Sequence, residues 1–421
     1  MVLAGALDTK GADFAFVRDA IRRTGLGVVC IDFGVLGEAG FAPDVTRAEV
    51  AAAGGGDIGD LRRGDRKGEA MAIMARGLTA VVRRLHAEGR VDGMLSMGGS
   101  GGTSIATAAM RALPIGVPKL MVSTVAAGDI AAYVGTTDIT FMPSVIDVAG
   151  LNRISRRIYA NAAAAVAGMV AAEAPDASAT RPMIAVSMFG NTTAAVERAR
   201  LRLEKAGFEV LVFHATGTGG RIMERMVRDG LFAGVLDITM TELADEVCGG
   251  AMTAGPDRGR AAPSSGIPVV FAPGCVDMAN FGGPGSIPAR LASRLVYQWN
   301  PDVVLLRTDA AENERIGTMI AAAANGARGA ATVLLPRGGV SMLDSPGREF
   351  WDPGADRACF AAIRRDLKPS VRLVEVDCNI NDPEFADLAA ETLLGMIGVG
   401  ERGPHGVHPQ HRILDAVPGG A

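Results

Sequence analysis

What most constrains this chain is a repeated alternation. Short runs of β-branched and other apolar residues, about five or six long, alternate with longer segments whose apolar residues recur every three and four positions. In the first half the short runs fall at 2–7, 27–33, 93–97, 119–123 and 139–142. Segments such as 13–24 and 69–88 lie between them with helical spacing; in the latter, Ala70, Ile73, Met74, Leu78, Val81, Val82 and Leu85 share one face. The second half repeats the pattern with runs at 183–188, 209–214, 234–239, 268–272, 303–307, 331–336 and 372–376. Strand followed by helix, many times over, calls for a mostly parallel sheet covered on both faces. The predicted fold is α/β, with two Rossmann-like parallel-sheet subdomains packed side by side.

Size also argues for two subdomains, because 421 residues exceed the roughly 250–300 at which one hydrophobic core stops growing. The helical run at 152–172 gives way to AAEAPDASATRP, whose prolines and small polar residues cannot continue a helix. A linker is therefore expected at 175–182. It would separate an N-terminal nucleotide-binding subdomain at 1–176 from a C-terminal substrate or partner subdomain at 183–400, followed by a loosely ordered tail at 401–421. The stretch TAGPDRGRAAPSSG at 253–266 reads as a mobile surface loop.

Composition narrows the function classes. With 48% hydrophobic and 21% charged residues the chain has ample material for a core, which excludes disorder. A net charge of −4 provides no field that would attract nucleic acid or an anionic membrane, so neither is expected as a partner. Cys30, Cys248, Cys275, Cys359 and Cys378 form no C-x-x-C pair, the usage of a reducing compartment. No apolar run approaches the roughly 20 residues that cross a bilayer, and MVLAGALDTKG lacks the basic start of a signal peptide. A cytoplasmic location is expected.

The segment with most chemical content is VDGMLSMGGSGGTSIATAAMRAL. An apolar strand ends at Met97, then Gly98, Gly99, Ser100, Gly101 and Gly102 let the backbone turn tightly before Thr103 and Ser104 open a helix. A helix start carries unpaired N–H groups and about half a positive charge, a combination that favours phosphate. The run lacks the Lys of a P-loop and the spacing of G-x-G-x-x-G, so the anion site it predicts belongs to neither motif. Asp8 and Lys10 follow the first strand, where Lys10 could neutralise a phosphate or simply be solvated beside an Asp cap. Asp32 ends the second strand, where an acid can accept from ribose hydroxyls or serve as a cap. Thr124, Gly135, Thr136 and Thr137, with Asp129 and Asp138, concentrate short polar groups that suit a sugar, a phosphate or magnesium, and equally suit turns.

The second half has its own glycine turn, FHATGTGGRIMERMV. His214 precedes Gly217, Gly219 and Gly220, and the turn reads as a mirror of the first and as a second anion site. His214 could act as acid or base, or be a hydrogen-bonded structural residue. Asp237 and Glu242 follow another strand and complete the candidate catalytic set; Arg337 and Gly338, beside Gly339, Ser341 and Asp344, suit a carboxylate or phosphate of a substrate. Cys275, Asp277 and Asn280 fall at a further strand end, with Cys275 either a nucleophile or, more simply, a small buried thiol. The tail histidines His405, His408 and His411 lack a Cys or acid to complete a metal set.

Taken in order, GALDTKG, MGGSGGTS, RALPIGVPKLMVSTVAAGD, GTTDITFMPSVIDVAGLN, SMFGNTT, FHATGTGGR, GVLDITMTELAD, DMANFGG and SMLDSPGREFWDP resemble the Tm-one-like ATP-binding family, named after the N-terminal domain of the tomato mosaic virus resistance protein. The resemblance covers almost the whole chain. It implies two Rossmann-like halves, ATP as ligand with Mg2+ accompanying it, and a homodimer. One position departs: the family segment before Pro383 reads His-Ile-Asn-Asp, and here it reads Asn379-Ile380-Asn381-Asp382. A catalytic role resting on that histidine would be lost.

The expected function is a cytosolic ATP-binding protein, as an ATP-dependent enzyme acting on a small acidic metabolite between the halves or as a non-catalytic ATP-liganded regulatory or protein-interaction module. A nicotinamide-dependent oxidoreductase is disfavoured by the missing G-x-G-x-x-G.

Overall fold

The computed structural model describes residues 1–63, 67–172 and 181–398, and the chain divides into two compact units, Met1–Ala177 and Ser178–Ala421. The linker expected at 175–182 lies outside the described residues but for Arg181 and Pro182, and the tail with its three histidines lies outside them entirely.

The first unit is a parallel sheet of β1 (Val2–Gly5), β2 (Val29–Asp32), β3 (Met94–Gly98), β4 (Lys119–Ser123) and β5 (Thr140–Pro143), in the order β2-β1-β3-β4-β5. Strand direction and alternation explain its two covers. Val2, Ala4, Met94 and Met121 point to the helices Lys67–Ala87 and Ser100–Met110, while Leu3, Leu95, Leu120 and Val122 point to Leu7–Arg22 and Arg153–Ala171. Ala162 and Ala163 of the alanine-rich run are buried in this second layer, so the small residues serve helix packing against the sheet. Lys119 is wholly buried at the start of β4, which is tolerable because its ammonium donates to the carbonyls of Pro114 and Val117 and pairs with Asp138, each at 2.7 Å.

The second unit has a six-stranded parallel sheet of β6 (Met183–Met188), β7 (Glu209–His214), β8 (Gly234–Thr239), β9 (Val269–Gly274), β13 (Ala331–Pro336) and β14 (Arg372–Val376), in the order β14-β13-β9-β8-β6-β7. Helices Thr193–Lys205 and Pro383–Ile397 cover one face; Thr218–Arg228, Ala310–Ala324 and Pro353–Asp366 cover the other. The run at 303–307 is a strand, β12 (Val303–Arg307), yet it does not join this sheet. It is the middle of an antiparallel insert with β10 (Met278–Phe281) and β11 (Val296–Asn300), closed by an Asn-Pro-Asp turn in which Asp302 N–H donates to Asn300 Oδ1 at 2.9 Å.

Strand order reverses between β1 and β3 in the first sheet and between β6 and β8 in the second. Ligands of open α/β sheets bind beyond the carboxyl ends of the strands at such reversals.

Candidate functional site

The Gly98–Ser104 turn follows β3, so it stands at the reversal of the first sheet. Its helix, Ser100–Met110, has Gly99 as N-cap with no side-chain cap, and the first backbone bond is Thr103 N–H to the Gly99 carbonyl at 2.9 Å. The amides of Ser100, Gly101 and Gly102 meet no acceptor among the described residues, and Ser100 is exposed. Gly98 permits the turn, since a Cβ there would stand 3.3 Å from the Gly102 Cα. Thr103 turns inward to Ser123 Oγ at 2.7 Å, while Ser104 stays exposed. Thr124 is exposed, its hydroxyl 3.7 Å from where a Gly99 Cβ would lie, and its N–H donates to the Gly98 carbonyl at 3.2 Å. Thr124 and the glycine turn therefore form one locality.

The other first-half candidates are engaged elsewhere. Asp8 accepts from the amides of Leu36 at 2.7 Å and Gly37 at 3.1 Å, and Lys10 donates to the Val148 carbonyl. Asp32 is buried, accepts from the amides of Leu7 at 3.0 Å and Gly34 at 2.9 Å, and faces Arg47 Nε at 3.4 Å. Burial pushes the Asp32 pKa up and those partners offset it only in part. Asp32 thus fills the start of the Leu7–Arg22 helix, a structural use. Gly135, at φ +58, packs against Arg111, Thr136 is half-buried and Thr137 is buried.

The second glycine turn does not mirror the first. It follows β7, the edge strand, and not the strand at the reversal. Its anion is already present: Glu242 Oε1 accepts from Gly217 N–H at 2.6 Å and from Gly220 N–H at 3.0 Å. A Cβ on Gly220 would overlap that carboxylate, and one on Gly219 would overlap the His214 carbonyl. Glu242 Oε2 in turn takes Arg258 Nε at 2.6 Å, and Arg258 grips Asp237 with both terminal nitrogens, at 2.5 and 2.7 Å. Glu224 joins through Arg258 at 3.4 Å and the amides of Gly259 and Ala261 at 2.7 and 2.8 Å. Burial would lower the Arg258 pKa, but Asp237 and Glu242 hold it well above the usual value. Asp237 and Glu242, the candidate catalytic acids, are therefore closed into a buried ion cluster with Arg258.

The same cluster corrects the loop expected at 253–266. Arg258 is its buried anchor, and Ala261–Ser265 is helical. Among the remaining second-half candidates, His214 is exposed with its ring edge-on to Phe189, and exposed Arg337 pairs with Asp377. A Cβ on Gly338 would stand 2.5 Å from the Cys378 carbonyl carbon, which leaves that glycine no room for a ligand on this side.

On the carboxyl rim of the second sheet the candidates Cys275, Asp277 and Asp344 gather with Thr239 and with residues the sequence did not single out, Thr192, Arg307 and Asp356. Thr192 and Thr239 share a hydrogen bond of 2.8 Å across the β6/β8 reversal. Next to them Cys275, at φ +57, and Asp277 are fully buried beneath segment 337–344. Arg307, Asp344 and Asp356 form a second ion cluster beside them, at 3.5 and 2.9 Å. Asn379 donates to the carbonyls of Gly338, Ser341 and Asp344 at 3.3, 3.1 and 3.0 Å, so the position that departs from the resembled family clamps that segment. Arg258 and Arg307 carried no local signal, each being one Arg in a polar or apolar run.

Comparison with known proteins matches residues 1–175 to the N-terminal domain and residues 181–397 to the C-terminal domain of an uncharacterised protein family, UPF0261. A UPF0261 protein of Clostridium tetani is 46% identical over 94% of this chain and 98% of its own length, and one of Mesorhizobium japonicum is 43% identical over 93% and 98%. The ToMV susceptible protein tm-1(GCR26) of Solanum lycopersicum is 38% identical over 93% of this chain but only 55% of the longer tomato protein. No helix among the described residues is long and apolar enough to cross a membrane. With residues 1–175 and 181–397 matched to its two domains, this chain belongs to the UPF0261 family.

Proposed function

We propose that the first unit binds ATP by its phosphates at the Gly98–Ser104 turn, with Thr124 beside it, and that the chain acts as an ATP-liganded protein without turning the nucleotide over. The observation that carries this reading is the contrast between the two glycine turns. Among the described residues the first has three amides without an acceptor, at a strand-order reversal, and the second has its Gly217 and Gly220 amides filled by Glu242. The resemblance to an ATP-binding family names the nucleotide. Magnesium would arrive on the triphosphate, because no group of three or more His, Cys, Asp or Glu among the described residues is arranged for a metal.

One observation favours the non-catalytic form: Asp237 and Glu242 are committed to Arg258. Asp32 is committed to Leu7, Gly34 and Arg47, which disfavours a nicotinamide cofactor by taking up its ribose acceptor. Self-association into a homodimer belongs to the same proposal. The edge strand β11 supports it by presenting unpaired backbone with Val296 and Trp299 exposed, beside exposed Leu295.

Calorimetric titration with Mg-ATP and with NADH, coupled to a phosphate-release assay, tests the reading. Saturable ATP binding, no NADH binding and no release above buffer are expected. Steady phosphate release would overturn the non-catalytic form, and absence of ATP binding would overturn the whole.

A further inference from the structure

Segment 337–344 leaves β13 and lies over the buried pair Cys275 and Asp277. Four of its fastenings can be named. Cys275 N–H donates to the Val340 carbonyl at 2.9 Å, Ser341 Oγ donates to Asp277 Oδ2 at 2.8 Å, Met342 N–H donates to the Asn191 carbonyl at 3.0 Å, and Asp344 meets Arg307 at 3.5 Å. Asn379 holds its three carbonyls from the far side. Met342 is nonetheless 40% exposed, so the segment reaches the surface there.

The charges beneath it do not balance. Asp277 comes from the β9–β10 junction, Asp344 from the segment itself and Asp356 from the helix Pro353–Asp366, and Arg307 at the end of β12 is the cation they share. Asp352, the N-cap of that helix, turns its carboxylate to the amides of Gly354 and Ala355 and only its N–H to Asp344, at 3.4 Å. The thiols of Cys275 and Cys359 face the same carboxylates and are raised by burial first and by those charges second. Asp277 Oδ1 has no hydrogen-bond partner among the described residues although it is wholly buried. Three buried carboxyls around one guanidinium can all be ionised only at high cost.

We propose that segment 337–344 is a proton-controlled strap over Cys275: protons held on Asp277 and Asp356, beside Asp344, keep it shut, and their loss releases it, uncovering the thiol and Asp277 on the ligand side of the second sheet. Two of the fastenings, Ser341 to Asp277 and Asp344 to Arg307, are made to members of the cluster, so repulsion there acts on the strap directly. Burial, then the Asp344 charge, raises Asp277 to about 7 and Asp356 to about 8. In the open strap these carboxyls are hydrated and return toward ordinary values, so the closed form binds more protons. Closure is therefore strongest below the ordinary carboxylate range, weakens as pH rises from about 4 toward those raised values, and levels off above them.

Native-state hydrogen exchange on the full chain reads the strap amides of Met342, Leu343 and Asp344. After correction for intrinsic exchange, their protection is expected to fall at least about tenfold between about pH 6 and about pH 8.5, while that of β9 amides holds. Pulse labelling with a maleimide followed by mass spectrometry is expected to find Cys275 modified only at the higher pH. Asp356→Asn removes a titrating group while keeping an acceptor for Arg307, and its strap protection is expected to change less with pH than the natural chain's. Should that variant fail to fold, Asp277→Asn makes the same comparison. Strap protection that is flat with pH, that falls only as far as β9, or that falls equally in the variant would overturn the proposal.

Discussion

Glu242 sits on Gly217: its carboxylate accepts that residue's amide at 2.6 Å, and with Gly220 at 3.0 Å it makes the second glycine turn an anion site whose anion is part of the chain. The same carboxylate neutralises Arg258, so one side chain joins the β7 turn, the β8 end and the loop that follows the helix Thr241–Cys248.

Removing Glu242 leaves Arg258 buried with one partner fewer and two amides without an acceptor. Glu242→Ala is expected to lower the stability of the second unit by about 3–5 kcal/mol, and Glu242→Gln, which keeps an acceptor, by less. Urea unfolding of the two variants measures both. Equal stability to the natural chain would show that the cluster contributes little.

Arg258 also makes a prediction about the loop. Wholly buried and held by Asp237, Glu242 and Glu224, it should keep 253–260 closed to trypsin under native conditions. Arg258→Ala is expected to make the chain cleavable after Arg260. Ready cleavage there in the natural chain would return the loop to the mobile class.

How far residues alone disclose this architecture depends on the range of the interactions. The strands and the Gly98–Ser104 turn were legible because each rests on neighbouring residues: apolar runs, glycines, then hydroxyls at a helix start. The insert was not. Met278–Phe281 is four residues, all buried, without the alternation of a half-exposed strand. Nor was the fate of the second turn, because Glu242 lies 25 positions from Gly217 and only strand order brings them together. The stretch at 253–266 read as a mobile loop because local polarity says nothing of the three distant carboxylates that hold Arg258.

Asp245 supplies a pH dependence outside the strap. Burial raises its carboxyl to about 7, against hydrogen bonds from Asn280 and Met252. A folded value above the unfolded one means stability is present at low pH and lost as pH rises from about 4 to about 7. Relative to Asp245→Asn, whose side chain does not titrate, the natural chain is expected to lose thermal stability across that window. A difference in melting temperature that stays constant with pH would contradict the assignment.

Gly101 tests the first turn by steric means. A Cβ there would meet only the flexible end of Met71, at 3.4 Å, so Gly101→Val is expected to fold. Its branched side chain beside the free amides should weaken ATP at least about tenfold, measured by calorimetry.

The most direct test is an amide-resolved NMR titration of the full chain with Mg-ATP. Saturable shifts at the amides of Ser100, Gly101 and Gly102, with Gly217 and Gly220 unmoved, are the expected result. Saturable shifts at Gly217 and Gly220 with the first turn unmoved, or no shift at either turn, would contradict the account.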